Sequence, residues 1–116
     1  MDAAVVRLQL PANAALLPAF DDAADKYASR RGFADGGTRF VAVAEAAVRA
    51  VASSSPSTIS MTATEFGDRV QLDVVGADPS AAMDGRAIDA VTSAGPGLDV
   101  TVDAAAAAVR ATVSLN

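Results

Sequence analysis

Between Thr58 and Val75, apolar and polar residues alternate through two runs that meet at Phe66-Gly67-Asp68. A period of two is that of a strand with one buried face. Two such runs joined at a glycine-containing break read as a β-hairpin. Ile59, Met61 and Ala63 share one face of the first run, with Thr58, Ser60, Thr62 and Thr64 on the other. Val70, Leu72 and Val74 share the inward face of the second, Arg69 to Val75. A sheet with one apolar face needs a second layer to cover it.

The flanking sequence supplies that layer. Leu16, Leu17, Phe20, Ala24 and Tyr27 recur at helical spacing, with Asn13 as a candidate N-cap and Pro18 early in the helix. Proline is tolerated in a first turn, so this helix begins near Leu17 or bends at Pro18. Gly32 to Gly37 breaks it. A second helix spans about Thr38 to Ala52, with Phe40, Val41, Ala44, Val48 and Val51 as its stripe. Ser53-Ser54-Ser55-Pro56 stops it, because the residue before proline resists the helical region. Asp78-Pro79 reads as a third helix start, an N-cap followed by proline at the first helical position. That helix runs to about Ser93 with a stripe of Met83, Ala87, Val91 and Ala94. Gly85 in its interior costs about 1 kcal/mol relative to Ala. Gly95-Pro96-Gly97 ends it.

Three further alternating stretches complete the sheet. Val5 to Leu10 precedes Pro11, which cannot donate to a ladder. Leu98 to Asp103 and Ala108 to Leu115 pair as a hairpin, with the run Ala104 to Ala108 as the connection and the start of the last strand. The order is β-α-α-β-β-α-β-β. It predicts one α+β domain over residues 1–116, a two-layer sandwich of three helices on a mostly antiparallel five-stranded sheet.

Composition narrows the chemistry. The 116 residues include no His and no Cys, which removes imidazole bases, thiol nucleophiles, disulfides and the usual zinc and haem ligands. The net charge is −5 with eight Arg and one Lys scattered along the chain. An acidic chain without a basic stripe is a poor nucleic-acid binder. No apolar run reaches the length of a membrane span. The N-terminus, Met1-Asp2-Ala3-Ala4-Val5-Val6-Arg7, is not that of a signal peptide. These features lead to the expectation of a cytoplasmic protein.

Three short stretches carry a resemblance. Leu8-Gln9-Leu10-Pro11-Ala12 is a strand followed by Leu-Pro-Ala. Arg31-Gly32-Phe33 closes the first helix. Ala44-Glu45-Ala46-Ala47-Val48-Arg49-Ala50-Val51 is similar to a Glu-Ala-x-x-Asn-Ala helix motif. With the order of elements, they resemble the GHKL (histidine-kinase-like) ATPase domain, closest to the branch of bacterial anti-sigma factors and serine-protein kinases. The resemblance implies a Bergerat-like fold and a nucleotide site between helices and sheet. It also implies sigma factors, anti-sigma antagonists or a second copy as partners. Dimerisation in that branch uses the first strand and first helix, here Val5 to Tyr27.

The departures from the family pattern are specific. The family's glutamate, which orients or deprotonates the attacking group, falls on Glu45. Its Mg²⁺-binding asparagine falls on Arg49, whose guanidinium has no lone pair to give. Residues i and i+4 share a helix face, so Arg49 is expected to fold onto Glu45. In the family's Asp-x-Gly-x-Gly motif, the aspartate reads adenine. In the register set by the strand, Gly76 takes the aspartate position and Asp78 the first glycine position. Shifted by two, Asp78 matches but Ser80 replaces the glycine. Too few residues separate Asp78 from Gly85 for a phosphate-covering lid, and Gly85 stands where a glycine-rich helix start would follow. These four positions, Arg49, Gly76, Asp78 and Gly85, are vestigial in this reading, and Glu45 is a vestigial catalytic position.

Each candidate has a plainer structural reading. Glu45 with Arg49 makes a surface ion pair, and Asp78 is a helix N-cap. Asp21, Asp22 and Asp25 as cation ligands compete with a dipole-complementing role. Ser53-Ser54-Ser55 as a phosphate acceptor competes with a simple loop. The polar face of Thr58, Ser60, Thr62 and Thr64 is a solvated face or a partner surface. Arg30-Arg31 is a pair rather than the donor cluster that phosphate capture needs. The expectation is a non-catalytic protein-interaction module without cofactor or metal. Its rivals are an ATP-dependent serine kinase with atypical motifs and a small-ligand binder using the emptied pocket, walled by Ala44, Ala47 and Ala87.

Overall fold

The alternating hairpin lies at the heart of a five-stranded antiparallel sheet. The computed structural model describes residues 3–95 and 97–116; Met1, Asp2 and Pro96, which entered the readings of the N-terminus and of the third helix stop, lie outside them. The strands are β1 (Ala3–Pro11), β2 (Thr58–Phe66), β3 (Arg69–Ala77), β4 (Asp99–Asp103) and β5 (Ala108–Ser114), in the spatial order β1-β2-β3-β5-β4. The helices are α1 (Leu17–Arg31), α2 (Thr38–Ala52) and α3 (Gly85–Ala94), with a 3₁₀ turn at Ala14–Leu16. The order and the α+β class are those that the sequence pattern predicts.

Alternation sets the register. Met61 pairs with Val74 and Leu8, Ala63 with Leu72, and Leu72 with Ala111. Inward positions therefore face apolar ones along most of the sheet, Glu65 opposite Val70 being the exception, and a slip of one residue would turn the apolar set to solvent. A bulge between Ala4 and Val6 shifts the register at the outer end of β1. Gly67, at φ 59°, supplies the left-handed residue in the connection from β2 to β3.

All three helices cover one face. Phe20, Ala24 and Tyr27 of α1 are buried, as are Phe40, Val43, Ala44, Ala47, Val48 and Val51 of α2. Val41, placed in the α2 stripe by sequence, is only half-buried, and Val43 and Ala47 take its share. The rings of Tyr27, Phe33 and Phe40 pack together, Phe33 stacking on Phe40 at 5.3 Å between centroids and meeting Tyr27 edge-on. Pro18 lies in the first turn of α1, and Asn13 caps the 3₁₀ turn by accepting from the Ala15 N–H.

The third helix corrects the sequence reading. It starts at Gly85, not Pro79, and its N-cap is Asp84, whose carboxylate accepts from the Arg86 N–H at 3.2 Å. Gly85 is thus the first helical residue rather than an interior one, where its conformational cost falls away. β3 runs on to Ala77, and Asp78 adopts a left-handed conformation at φ 51°. That dihedral is incompatible with the extended backbone of an N-cap. Residues 78–84 instead cross the C-terminal end of α2 as an irregular strap.

Candidate functional site

Glu45 and Arg49 sit on the exposed side of α2, with Val48 and Val51 facing the sheet. Arg49 does not fold onto the Glu45 carboxylate. Its guanidinium reaches across to α1 and grips Asp21 with both arms, at 2.6 and 2.7 Å. It touches Glu45 only through that residue's backbone carbonyl, at 3.4 Å. The hydrogen bonds it donates to Asp21 raise the Arg49 pKa, and burial opposes them. A fork-on-carboxylate contact is the strongest geometry for such a pair. The pair ties α1 to α2, and Arg49 is a structural cation.

The three aspartates of α1 do not converge. Asp21 holds Arg49, Asp22 pairs with Lys26 one turn on at 3.0 Å, and Asp25 lines an open groove of about 350 Å³ beside Glu45, Gly36, Gly37 and Thr38. Because the helix begins at Leu17, none lies in the first turn, so the dipole reading falls too. Among the described residues no three carboxylates gather into a cation cage.

Gly76 and Asp78 lie elsewhere, against the C-terminal end of α2. A Cβ on Gly76 would stand 2.9 Å from Val51 Cγ1 and 2.9 Å from Pro56 Cβ. The glycine therefore serves close packing of β3 under α2, and two apolar side chains fill the space above it. The strap is fastened by the serine run. The Ser54 carbonyl accepts from the Ser80 and Ala81 N–H groups at 3.0 and 3.2 Å, and Ser53 Oγ accepts from the Asp84 N–H at 2.8 Å. Ser54 itself is fully buried and donates its hydroxyl to the Val51 carbonyl. Met83, also buried, anchors the strap by donating its N–H to the Ala104 carbonyl. The serines thus cap α2 and hold the strap. The structure brings Gly76 and Asp78 to Val51 and Ser54–Ser57, and does not bring either to Glu45 or Arg49.

Two polar constellations escaped the sequence reading. Glu65, at the end of β2, accepts from Tyr27 Oη at 2.6 Å and from Arg31 Nε at 2.7 Å. Burial, then the bond to Glu65, pushes the Tyr27 pKa far above the usual phenol range. Asp35 accepts from the Gly37 N–H at 2.9 Å and from the Arg39 N–H and Nε, each at 3.2 Å. These bonds, the one from Gly37 foremost, lower its pKa and satisfy the open start of α2. An Asp-x-Gly before a helix is the signal that could have marked Asp35. Nothing local marks Glu65, whose partners lie 38 and 34 residues away.

The uncovered sheet face is polar, as the hydroxyl alternation of β2 implies. Asp73 accepts from Arg110 Nε at 2.8 Å and from Gln71 Nε2 at 2.9 Å. Asp73 and Arg110, with Val75, Thr101 and Asp103, line an open groove of about 380 Å³. No helix among the described residues is long and apolar enough to cross a membrane. No family model matches the chain, and no curated protein matches it.

Proposed function

We propose that the chain is a non-catalytic protein-interaction module, resembling an anti-sigma factor or serine-protein kinase domain that has lost nucleotide binding. The observation that carries this reading is the packing above Gly76. Where the resembling family brings a purine to a glycine-rich strand end, Val51 and Pro56 stand 2.9 Å from the position of a glycine Cβ. A purine cannot enter without displacing both side chains and the strap that Ser53 and Ser54 hold. Arg49 supports the reading independently, since its guanidinium is spent on Asp21 and offers a metal nothing. The same packing counts against a small ligand in an emptied pocket at this point.

The partners of such a module are proteins. By resemblance these are a sigma factor or an anti-sigma antagonist in a bacterial cytoplasm, and a second copy docking through Val5 to Tyr27. The sheet edge in that stretch supports the choice. Val6, Leu8 and Leu10 of β1 remain half-buried, an apolar strip on a strand that among the described residues pairs only with β2.

Calorimetry with Mg-ATP and Mg-ADP, checked by thermal shift, tests the reading. A ligand at 100 times its Kd would stabilise the folded state by about 2.7 kcal/mol, several degrees in melting temperature. The expected result is no heat and no shift at millimolar nucleotide. Micromolar binding would overturn the reading and put a serine kinase in its place.

A further inference from the structure

The sheet has two free edges, and they differ in chemistry. Along β4, Asp99, Thr101 and Asp103 are exposed on the outer face, while Val100 and Val102 turn toward the helical layer and stay half-buried. Ile88 of α3 is half-buried too, and α3 contributes only Val91 to the fully buried core. Among the described residues no strand pairs with β4 on the side away from β5. A row of open backbone donors and acceptors therefore runs between a half-covered apolar strip and two carboxylates.

A strand that adds here must satisfy both faces. Residues directly opposite one another on paired strands point to the same face. Partners of Val100 and Val102 would enter the apolar strip; partners of Asp99 and Asp103 would stand beside carboxylates. A second copy of β4 fails this condition. Paired antiparallel about Thr101, it sets Asp99 against Asp103 twice, and like charges directly opposite are destabilising. We propose that the β4 edge docks an extended segment of a basic partner protein, whose residues opposite Asp103, Val102, Thr101, Val100 and Asp99 read cation, apolar, hydroxyl, apolar, cation. This rests on the reading of the domain as a protein-interaction module. The main-chain ladder supplies affinity, and the alternating side chains supply selection.

A fluorophore-labelled peptide, Ser-Lys-Val-Thr-Val-Lys-Ser with blocked ends, tests the site by anisotropy with the full chain. Its counterpart carries Glu for both Lys. The expected result is saturable binding of the Lys peptide, weakened by salt, with slowed amide exchange centred on β4. Asp99→Lys with Asp103→Asn should weaken the Lys peptide roughly three- to tenfold and strengthen the Glu peptide. The Asn is chosen because Asp103 Oδ1 also accepts from the Ala106 N–H at 3.1 Å, and an amide oxygen keeps that bond. Equal affinity for the two peptides, no binding at millimolar peptide, or protection that appears on β1 would each overturn the proposal. A peptide failure in a domain that still ignores nucleotide removes this site and leaves the interaction-module reading standing. Nucleotide binding removes that reading whatever the peptide does.

Discussion

A side chain's value here depends on which partner the tertiary fold hands to it. Glu65 receives both the Tyr27 hydroxyl and the Arg31 guanidinium. Glu65→Ala leaves a largely buried phenol without its acceptor and should cost about 1–3 kcal/mol, read from urea midpoints; Glu65→Gln, which keeps an acceptor, should cost less. Tyr27 is the one tyrosine of the chain, so phenolate absorbance reports it alone. Its raised folded pKa favours the protonated form. That contribution is whole below the unfolded value of about 10 and is lost as pH rises above it. Phenolate absorbance should therefore appear only together with alkaline unfolding, and an ordinary titration in the folded state would refute the burial argument. Asp35 has the opposite sign. Its folded pKa is depressed by the bonds from Gly37 and Arg39, so its contribution is present above the ordinary carboxylate pKa of about 4 and fades as pH falls below it. Urea midpoints for Asp35→Ala should therefore converge on those of the parent in acid. Arg49→Asn separates two accounts of one position. If Arg49 is a tie between α1 and α2, the variant loses up to about 1 kcal/mol of stability and gains no nucleotide affinity in calorimetry.

At the level of the elements, local signals were legible wherever the periodicity was long. The β2–β3 hairpin and α2 follow from alternation and stripe over at least seven residues, and both lie where the sequence puts them. The start of α3 was not legible, because Asp78-Pro79 satisfies every local rule for a helix start and loses to tertiary contacts. Extension of β3 to Ala77 and the grip of the Ser54 carbonyl on Ser80 and Ala81 carry the chain past it. The Asp21–Arg49 tie was illegible for a related reason: it joins residues 28 apart, and only the packing of α1 on α2 reveals it. The competing helix starts give opposite mutational signs. Asp84→Ala removes a true N-cap and should cost about 1 kcal/mol. Asp78→Gly relieves a left-handed non-glycine residue and should leave stability unchanged or raise it. A loss of about 1 kcal/mol at Asp78, measured by chemical denaturation, would return the helix start to that residue. Gly76→Ala probes the purine argument at its root. The added methyl meets Val51 and Pro56 at 2.9 Å, and overpacking of this kind costs about 1–3 kcal/mol. Were the variant as stable as its parent, the space above the strand end would be open after all.

Across the whole molecule, one face of the sheet is covered by helices, and its two edges are set up for different encounters. β4 is short and acid-ended, so it repels its own kind. β1 is nine residues long, and its inward positions Val6, Leu8 and Leu10 are half-buried. An antiparallel pair of β1 strands centred on Leu8 would put Val6 against Leu10 on the inner face and Arg7 against Gln9 on the outer. Neither meeting opposes like charges, so the conflict that counts against a second copy at β4 is absent from this edge. The contrast turns the proposed dimer into a charge experiment. Arg7 and Gln9 are exposed, so substitutions there leave the core intact. Arg7→Glu with Gln9→Glu would give β1 the like-charge conflict that β4 has by nature. On the proposed dimer, sedimentation velocity should then show monomer for this variant and dimer for the parent chain. Arg7→Glu with Gln9→Lys would set opposite charges across the same pair and should restore the dimer, whereas Asp99→Lys on the far edge should leave it unchanged. A parent chain that stays monomeric at high concentration, or a dimer that persists with glutamate at both positions, would remove β1 as the self-association edge.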